Sequence, residues 1–100
     1  MGAAAVDDIT VEYEDNGVLL VKQEGKEIIT RGTWCTIAFL YRDWDAKTNA
    51  YGPQMITLRK YRKQAGTYRQ ESKFNLGSLA QAASVSDVLK RWSEAADAPE

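Results

Sequence analysis

The chain has 100 residues, within the usual size of a single domain, and 44% of them are hydrophobic while 27% are charged. This composition is typical of a soluble globular domain, and no apolar run approaches the roughly 20 residues of a membrane-spanning helix. There is no histidine and only one cysteine, Cys35. Imidazole catalysis, imidazole or cysteine-rich metal sites and an intrachain disulfide are therefore excluded. We expect a non-enzymatic protein with no cofactor, metal or small-molecule substrate.

The net charge of −1 conceals a strong segregation of charge along the chain. Residues 1–30 carry seven acidic side chains and two cationic ones, whereas residues 56–74 carry six cationic side chains and one acidic one. A local positive face can bind an anionic partner even when the whole protein is nearly neutral. The distribution favours an anionic partner for residues 56–74.

The two ends of the chain are expected to be flexible, with one domain over residues 9–96 between them. Residues 1–8 are small and acidic, and residues 97–100 follow the apolar stripe of the predicted helix. The start of the chain lacks the charged and apolar regions of a signal peptide. We therefore expect a cytoplasmic protein, associated with the nucleoid if it is bacterial or phage-encoded.

An N-terminal meander of short strands is predicted next. Apolar segments at 9–13 and 18–22 flank Asp15-Asn16-Gly17, and Asn-Gly between such segments is a strong hairpin signal because both residues tolerate positive φ. Glu24-Gly25-Lys26 is expected to turn the chain into a third strand at 27–31. The acidic meander is either a solvated surface or a screen that competes with nucleic acid for the cations that follow.

Residues 33–44 form the most hydrophobic segment and predict a central strand. Cys35 lies within it and is interpreted as a buried structural thiol. The sequence leaves open which of Trp34, Phe39 and Tyr41 point inward. Asn, Gly and Pro in residues 45–53 predict a loop.

Residues 56–76 predict a basic β-hairpin. In the first strand, one face carries Ile56, Leu58, Lys60 and Arg62, which alternate with residues of the opposite face. Residues 67–76 alternate in the same way in the second strand, and Gln64-Ala65-Gly66 between the strands suits a loop of three to five residues. Cations and aromatic rings on one ribbon suit single-stranded nucleic acid, because phosphates bind cations and unstacked bases lie on flat apolar faces. The alternative is that the cations only protect a sheet edge.

A C-terminal helix from Leu79 to about residue 95 is predicted, with Ser78 as its N-cap and a break near Ser84 left open. Leu89 and Trp92 lie on its apolar stripe. A small β-rich chain with one helix leaves apolar area that a second copy could cover. The predicted fold is therefore α+β, an antiparallel sheet followed by one helix, and dimeric.

From about Ala38 to Trp92 the chain resembles the positive cofactor 4 family of single-stranded-DNA-binding transcriptional coactivators. The matching residues are Arg42-Asp43-Trp44, Ile56-Thr57-Leu58-Arg59-Lys60-Tyr61, Gly66, Arg69, Lys73-Phe74-Asn75-Leu76 and the helix from Leu79. The chain departs from the family's pattern at Arg62, where a second aromatic is usual, and at Phe74, where a glycine is usual. The resemblance implies a four-stranded sheet that grips single strands and a dimer formed through the helix.

The leading hypothesis is single-stranded nucleic-acid binding in transcription, replication or recombination, with DNA first and RNA left open. Trp44 and Tyr61 are expected to stack bases. The cations expected to contact phosphates are Arg42, Arg59, Arg62, Lys63, Arg69 and Lys73, with Lys60 and Tyr68 as secondary candidates. The alternatives are a protein-interaction module, docking through the hairpin or the helix, and a metal-dependent nuclease using Asp43 and Asp45. No further acids or base accompany the aspartates, which leaves the nuclease the weaker alternative.

Overall fold

The structure is a computed structural model that describes residues 3–95. Its elements are a 3-10 helix (Val6–Asp8), strands β1 (Tyr13–Asp15), β2 (Val18–Thr30), β3 (Trp34–Asp45), β4 (Ala50–Tyr51), β5 (Met55–Gln64) and β6 (Thr67–Ser78), and helix α1 (Leu79–Ala95). One antiparallel sheet has the order β1-β2-β3-β5-β6, and β4 pairs with β3 inside the predicted loop. The predicted α+β fold, an antiparallel sheet followed by one helix, is confirmed.

Two tight turns fix the register of the sheet. Asn16 and Gly17 have φ angles of 52° and 80°, and the residues on either side of them pair directly, so the predicted Asn-Gly hairpin is confirmed. Ala65 and Gly66 have φ angles of 52° and 82° and form a turn of the same length. Gln64 pairs with Thr67, so the second loop has two residues rather than the predicted three to five.

The predicted turn at Glu24-Gly25-Lys26 is wrong, because β2 runs without a break from Val18 to Thr30. A register shift between Gln23 and Gly25 replaces the turn. A β-carbon on Gly25 would lie 3.2 Å from the Cβ of Leu40. The glycine therefore serves the close approach of two strands, a role that a turn signal in the sequence does not distinguish.

β3 lies at the centre of the sheet and alternates regularly between two faces. Cys35, Ile37 and Phe39 are fully buried on one side, which we call the core face, and their partners on β5 include Thr57 and Tyr61. Trp34 and the half-buried Thr36, Ala38 and Leu40 lie on the other side, the outer face. Of the three aromatic residues left open by the sequence, Phe39 and Tyr41 point inward and Trp34 points outward.

Residues 3–12, which we call the arm, cover the core face. Val6 and Ile9 are buried in the core cluster. The Lys26 Nζ donates hydrogen bonds to the carbonyls of Val6, Asp7 and Ile9 at 2.7 to 3.0 Å, and the Tyr68 amide donates to the Ala3 carbonyl at 2.7 Å. Residues 3–8, which the sequence sets apart from the domain, therefore pack against it.

Helix α1 follows β6 directly, with the Gln81 amide donating to the Ser78 hydroxyl at 3.2 Å as expected of an N-cap. It continues through Ser84, whose hydroxyl donates to the Ala80 carbonyl, so the break left open there does not form. Ala82 is buried, whereas Leu89 and Trp92 are 56% and 65% exposed. In the part of the chain described, no helix is long and apolar enough to cross a membrane. The predicted tail, residues 97–100, and the domain's last residue lie outside the described residues.

Candidate nucleic-acid interface

The basic hairpin, β5 and β6, places cations directly opposite one another across its two strands. Arg59 pairs with Lys73, and Arg62 pairs with Arg69. Like charges in directly opposite positions destabilise a sheet. The hairpin therefore carries an electrostatic cost at two separate positions in the free protein.

Acidic side chains do not offset this cost. In residues 3–95 the ion pairs involve Lys22, Arg31 and Arg42, and none involves a cation of the basic hairpin. Glu71 is the one acidic residue between residues 56 and 74. The six hairpin cations thus form a positive surface that lacks carboxylate partners within the described chain.

One register shift between β5 and β6 distributes the cations of β6 between the faces of the sheet. The sequence predicts uninterrupted alternation in β6, which would place Arg69 and Lys73 on the same face. The pairing instead shifts opposite Lys60 and Tyr61, with the result that Arg69 faces Arg62 and Lys73 faces Arg59. The outer face therefore holds Lys60, Arg62 and Arg69, and the core face holds Arg59, Lys63 and Lys73. This division differs from the predicted alternation of β6, because a bulge moves the residues that follow it to the opposite face.

Tyr61 and Tyr68 belong to the core cluster, with only 6% and 7% of their surface exposed. The Tyr68 hydroxyl donates to the Gly32 carbonyl at 2.9 Å. Burial raises the pKa of Tyr61, and the charge of the neighbouring Arg59 opposes this rise. Neither tyrosine ring presents a free face to a base, because both rings are packed in the core.

Arg42 and Trp44 lie near the opposite end of β3 from the hairpin turn. The Arg42 guanidinium donates to the Glu24 carboxylate at 3.0 Å and to the Gly52 carbonyl at 2.8 Å. Hydrogen bonds from Gln54 and Arg42 lower the pKa of Glu24. Trp44 is half-buried and packs edge-on against Tyr51, with ring centroids 5.0 Å apart. These contacts hold the β3–β4 region together, and the structure does not bring Arg42 and Trp44 to the turn end of the hairpin.

Trp34 is the aromatic residue that the structure adds to the site. It is 45% exposed, with the Lys60 Nζ 5.1 Å and the Arg62 Cζ 5.2 Å from its ring centroid. The sequence carried a signal for this orientation. Positions 35, 37, 39 and 41 are all apolar or aromatic, whereas 36 and 38 are Thr and Ala, so the even positions fit the less buried face.

A groove of about 680 Å³ separates the arm from the core face of the basic hairpin. Arg59, Tyr61 and Gln70 line it on the hairpin side, and Arg69, on the edge strand β6, borders it as well as the outer face. The Arg59 Nη1 donates to the Gln70 side chain at 2.9 Å. Asp8 and Glu12 line it on the arm side. The acids of the arm therefore oppose an anionic ligand in this groove.

No group of three or more His, Cys, Asp or Glu residues in positions 3–95 is arranged to hold a metal ion. Comparisons with protein-family models, with curated proteins and with solved structures find no match to this chain. The resemblance to the positive cofactor 4 family therefore stays a prediction.

Proposed function

We propose that the protein is a non-enzymatic binding protein for single-stranded nucleic acid, with DNA as the first candidate, in transcription, replication or recombination. The observation that supports this function is the pair of cation–cation positions in the basic hairpin, Arg59 opposite Lys73 and Arg62 opposite Arg69. Each pair is unfavourable in the free protein. Phosphate groups that bind between or beside the paired cations convert the repulsion into attraction.

The combination of these cations with an exposed aromatic residue favours a single strand over a duplex. Bases in a single strand are free to stack on an aromatic ring, whereas in a duplex their faces are covered by neighbouring bases. Trp34 lies beside Lys60 and Arg62 and retains exposed ring surface. A positive ribbon that contacts phosphates and stacks bases in this way binds with little sequence preference.

Fluorescence anisotropy with labelled oligo-dT and a matched duplex, at 50 and 200 mM salt, tests this function. For single strands the logarithm of the association constant should fall with log salt by about 0.7 for each phosphate neutralised. Arg62→Ala should weaken binding and reduce the slope by about this amount, whereas Lys47→Ala, in the turn before β4, should change neither. A flat salt response, or equal affinity for the duplex, would contradict the proposal.

A protein-interaction role is the second candidate, favoured by the exposed Leu89 and Trp92 of α1. The chain is also less compact than is usual for its length, since its radius of gyration is 15.7 Å, compared with about 13 Å for a compact chain of 100 residues. We propose a second copy of this chain as the partner, bound through the apolar stripe of the helix. If the hairpin recognises an acidic protein tail rather than nucleic acid, an acidic peptide should displace oligo-dT at low concentration. This competition separates binding of an acidic tail from binding of single strands at the hairpin.

A further inference from the structure

We infer that the bases of the bound strand stack on Trp34 at the turn end of the outer face, while Arg62 and Arg69 contact its phosphates. This inference rests on the proposed single-strand binding and names the face and the stacking residue that perform it. It replaces Tyr61 and Trp44, the residues expected from the sequence, with a residue that the sequence left unassigned.

The register of the sheet places these three side chains in one row. Trp34 on β3 pairs with Arg62 on β5, which in turn pairs with Arg69 on β6. Directly paired residues share a face, and neighbouring strands lie about 4.8 Å apart. The row therefore runs across three strands from an aromatic ring to two guanidinium groups. A nucleic-acid strand that crosses the sheet along this row meets a stacking surface and two phosphate-binding groups in succession.

The next row along the strands strengthens the site. Thr36, Lys60 and Ser72 occupy it, and the Lys60 ammonium lies beside the Trp34 ring. Neither row contains a carboxylate. Two cations of β5, Lys60 and Arg62, thus lie close to an aromatic ring that is 45% exposed.

The core face of the same hairpin offers a poorer site. Its tyrosines are buried under the arm, and Asp8 and Glu12 line the groove that leads to Arg59. A single strand on that face must displace the arm, including the contacts of Val6 and Ile9 with the core. On the outer face it displaces no part of the main chain, and only the Lys60 and Arg62 side chains over the Trp34 ring have to move, so we assign binding to the outer face.

The test compares oligo-dT with an abasic oligonucleotide of the same length, which keeps the phosphates and lacks the bases. Trp34→Ala should weaken oligo-dT binding by about 5- to 150-fold, the equivalent of a lost stacking contact, with nearly the same salt slope. The same substitution should leave abasic binding unchanged. Arg62→Ala should weaken both probes. Lys47→Ala, in the turn before β4 and at the opposite end of β3 from Trp34, is the control and should affect neither probe.

A second measurement covers the case in which Trp34→Ala fails to fold. In a protein with Trp44→Phe and Trp92→Phe, Trp34 is the remaining tryptophan, and oligo-dT should quench its emission while the abasic strand should not. Three results would overturn the assignment of Trp34 while leaving single-strand binding intact: equal losses on both probes, full oligo-dT affinity in a folded Trp34→Ala protein, or no quenching by oligo-dT in the protein that keeps only Trp34. If the unsubstituted protein binds neither probe, the proposed function fails, and the inference fails with it.

Discussion

Replacing Arg69 and Lys73 together with glutamine should stabilise the free protein while weakening its binding to single strands. Each substitution removes one member of a cross-strand cation pair and keeps much of the side chain's length. Because the two pairs lie on opposite faces, their contributions should be nearly independent. Most substitutions destabilise a protein, so a gain in stability here would be diagnostic.

The size of the gain follows from Coulomb's law. Two unit charges about 8 Å apart in water repel by about 0.5 kcal/mol. Screening leaves about 0.4 kcal/mol of this at 0.01 M salt, where the Debye length is about 30 Å, and almost none at 1 M, where it is about 3 Å. Two pairs then give about 0.8 kcal/mol, or about 3 to 6 °C in the melting temperature of a domain this size.

Thermal melts followed by circular dichroism at 0.01 M and 1 M salt measure this gain. The double variant should melt higher than the unsubstituted protein at low salt and at nearly the same temperature at high salt. Lys47→Gln, at a cation with no cross-strand partner, is the control and should shift neither melt. An equal or lower melting temperature for the double variant at low salt would refute the claim that the paired cations oppose folding.

Three further results are expected. Trp44→Ala should lower the free energy of unfolding in urea by about 2 kcal/mol, roughly half the value for a fully buried tryptophan, and should leave affinity for oligo-dT unchanged. Lost affinity with unchanged stability would return Trp44 to the binding site. Glu24→Gln should lower stability at pH 7, and the difference in stability between the variant and the unsubstituted protein should shrink as the pH falls below 4.5. The reason is that the lowered pKa of Glu24 contributes stability that protonation removes, so a difference independent of pH would contradict this prediction. Light scattering should report about twice the 11.2 kDa of the chain, and Trp92→Glu should halve that mass, whereas a monomer before substitution would remove the proposed dimer.

Much of the fold could be predicted because local signals and tertiary structure agree. The Asn16-Gly17 turn and the Ser78 cap each depend on residues adjacent in sequence, and both form as predicted. Gly25 is different, because its role depends on Leu40, which approaches only when β2 and β3 pair. A glycine at a close approach and a glycine in a turn look alike in a single sequence.

The candidate site was harder to predict than the fold. The cation-rich composition of residues 56–74 identified the basic hairpin, but the bulge that separates Arg69 from Lys73 has no clear local signature. The burial of the hairpin's two tyrosines likewise has no local signature in the sequence. Tyr61 and Tyr68 are buried because the arm folds over them, and nothing near either tyrosine in the sequence indicates that residues 3–12 return to that face.

The pairing of Ala3 with Tyr68 also determines when the fold can close during synthesis. The arm leaves the ribosome before the strands of the sheet, and its partner strand β6 is the last of those strands to do so. Contacts between such distant residues form slowly, since a long loop must close before they contribute stability. Until β6 emerges, Val6 and Ile9 therefore lack part of the surface that buries them, and the nascent chain exposes its core face to chaperones and to other chains.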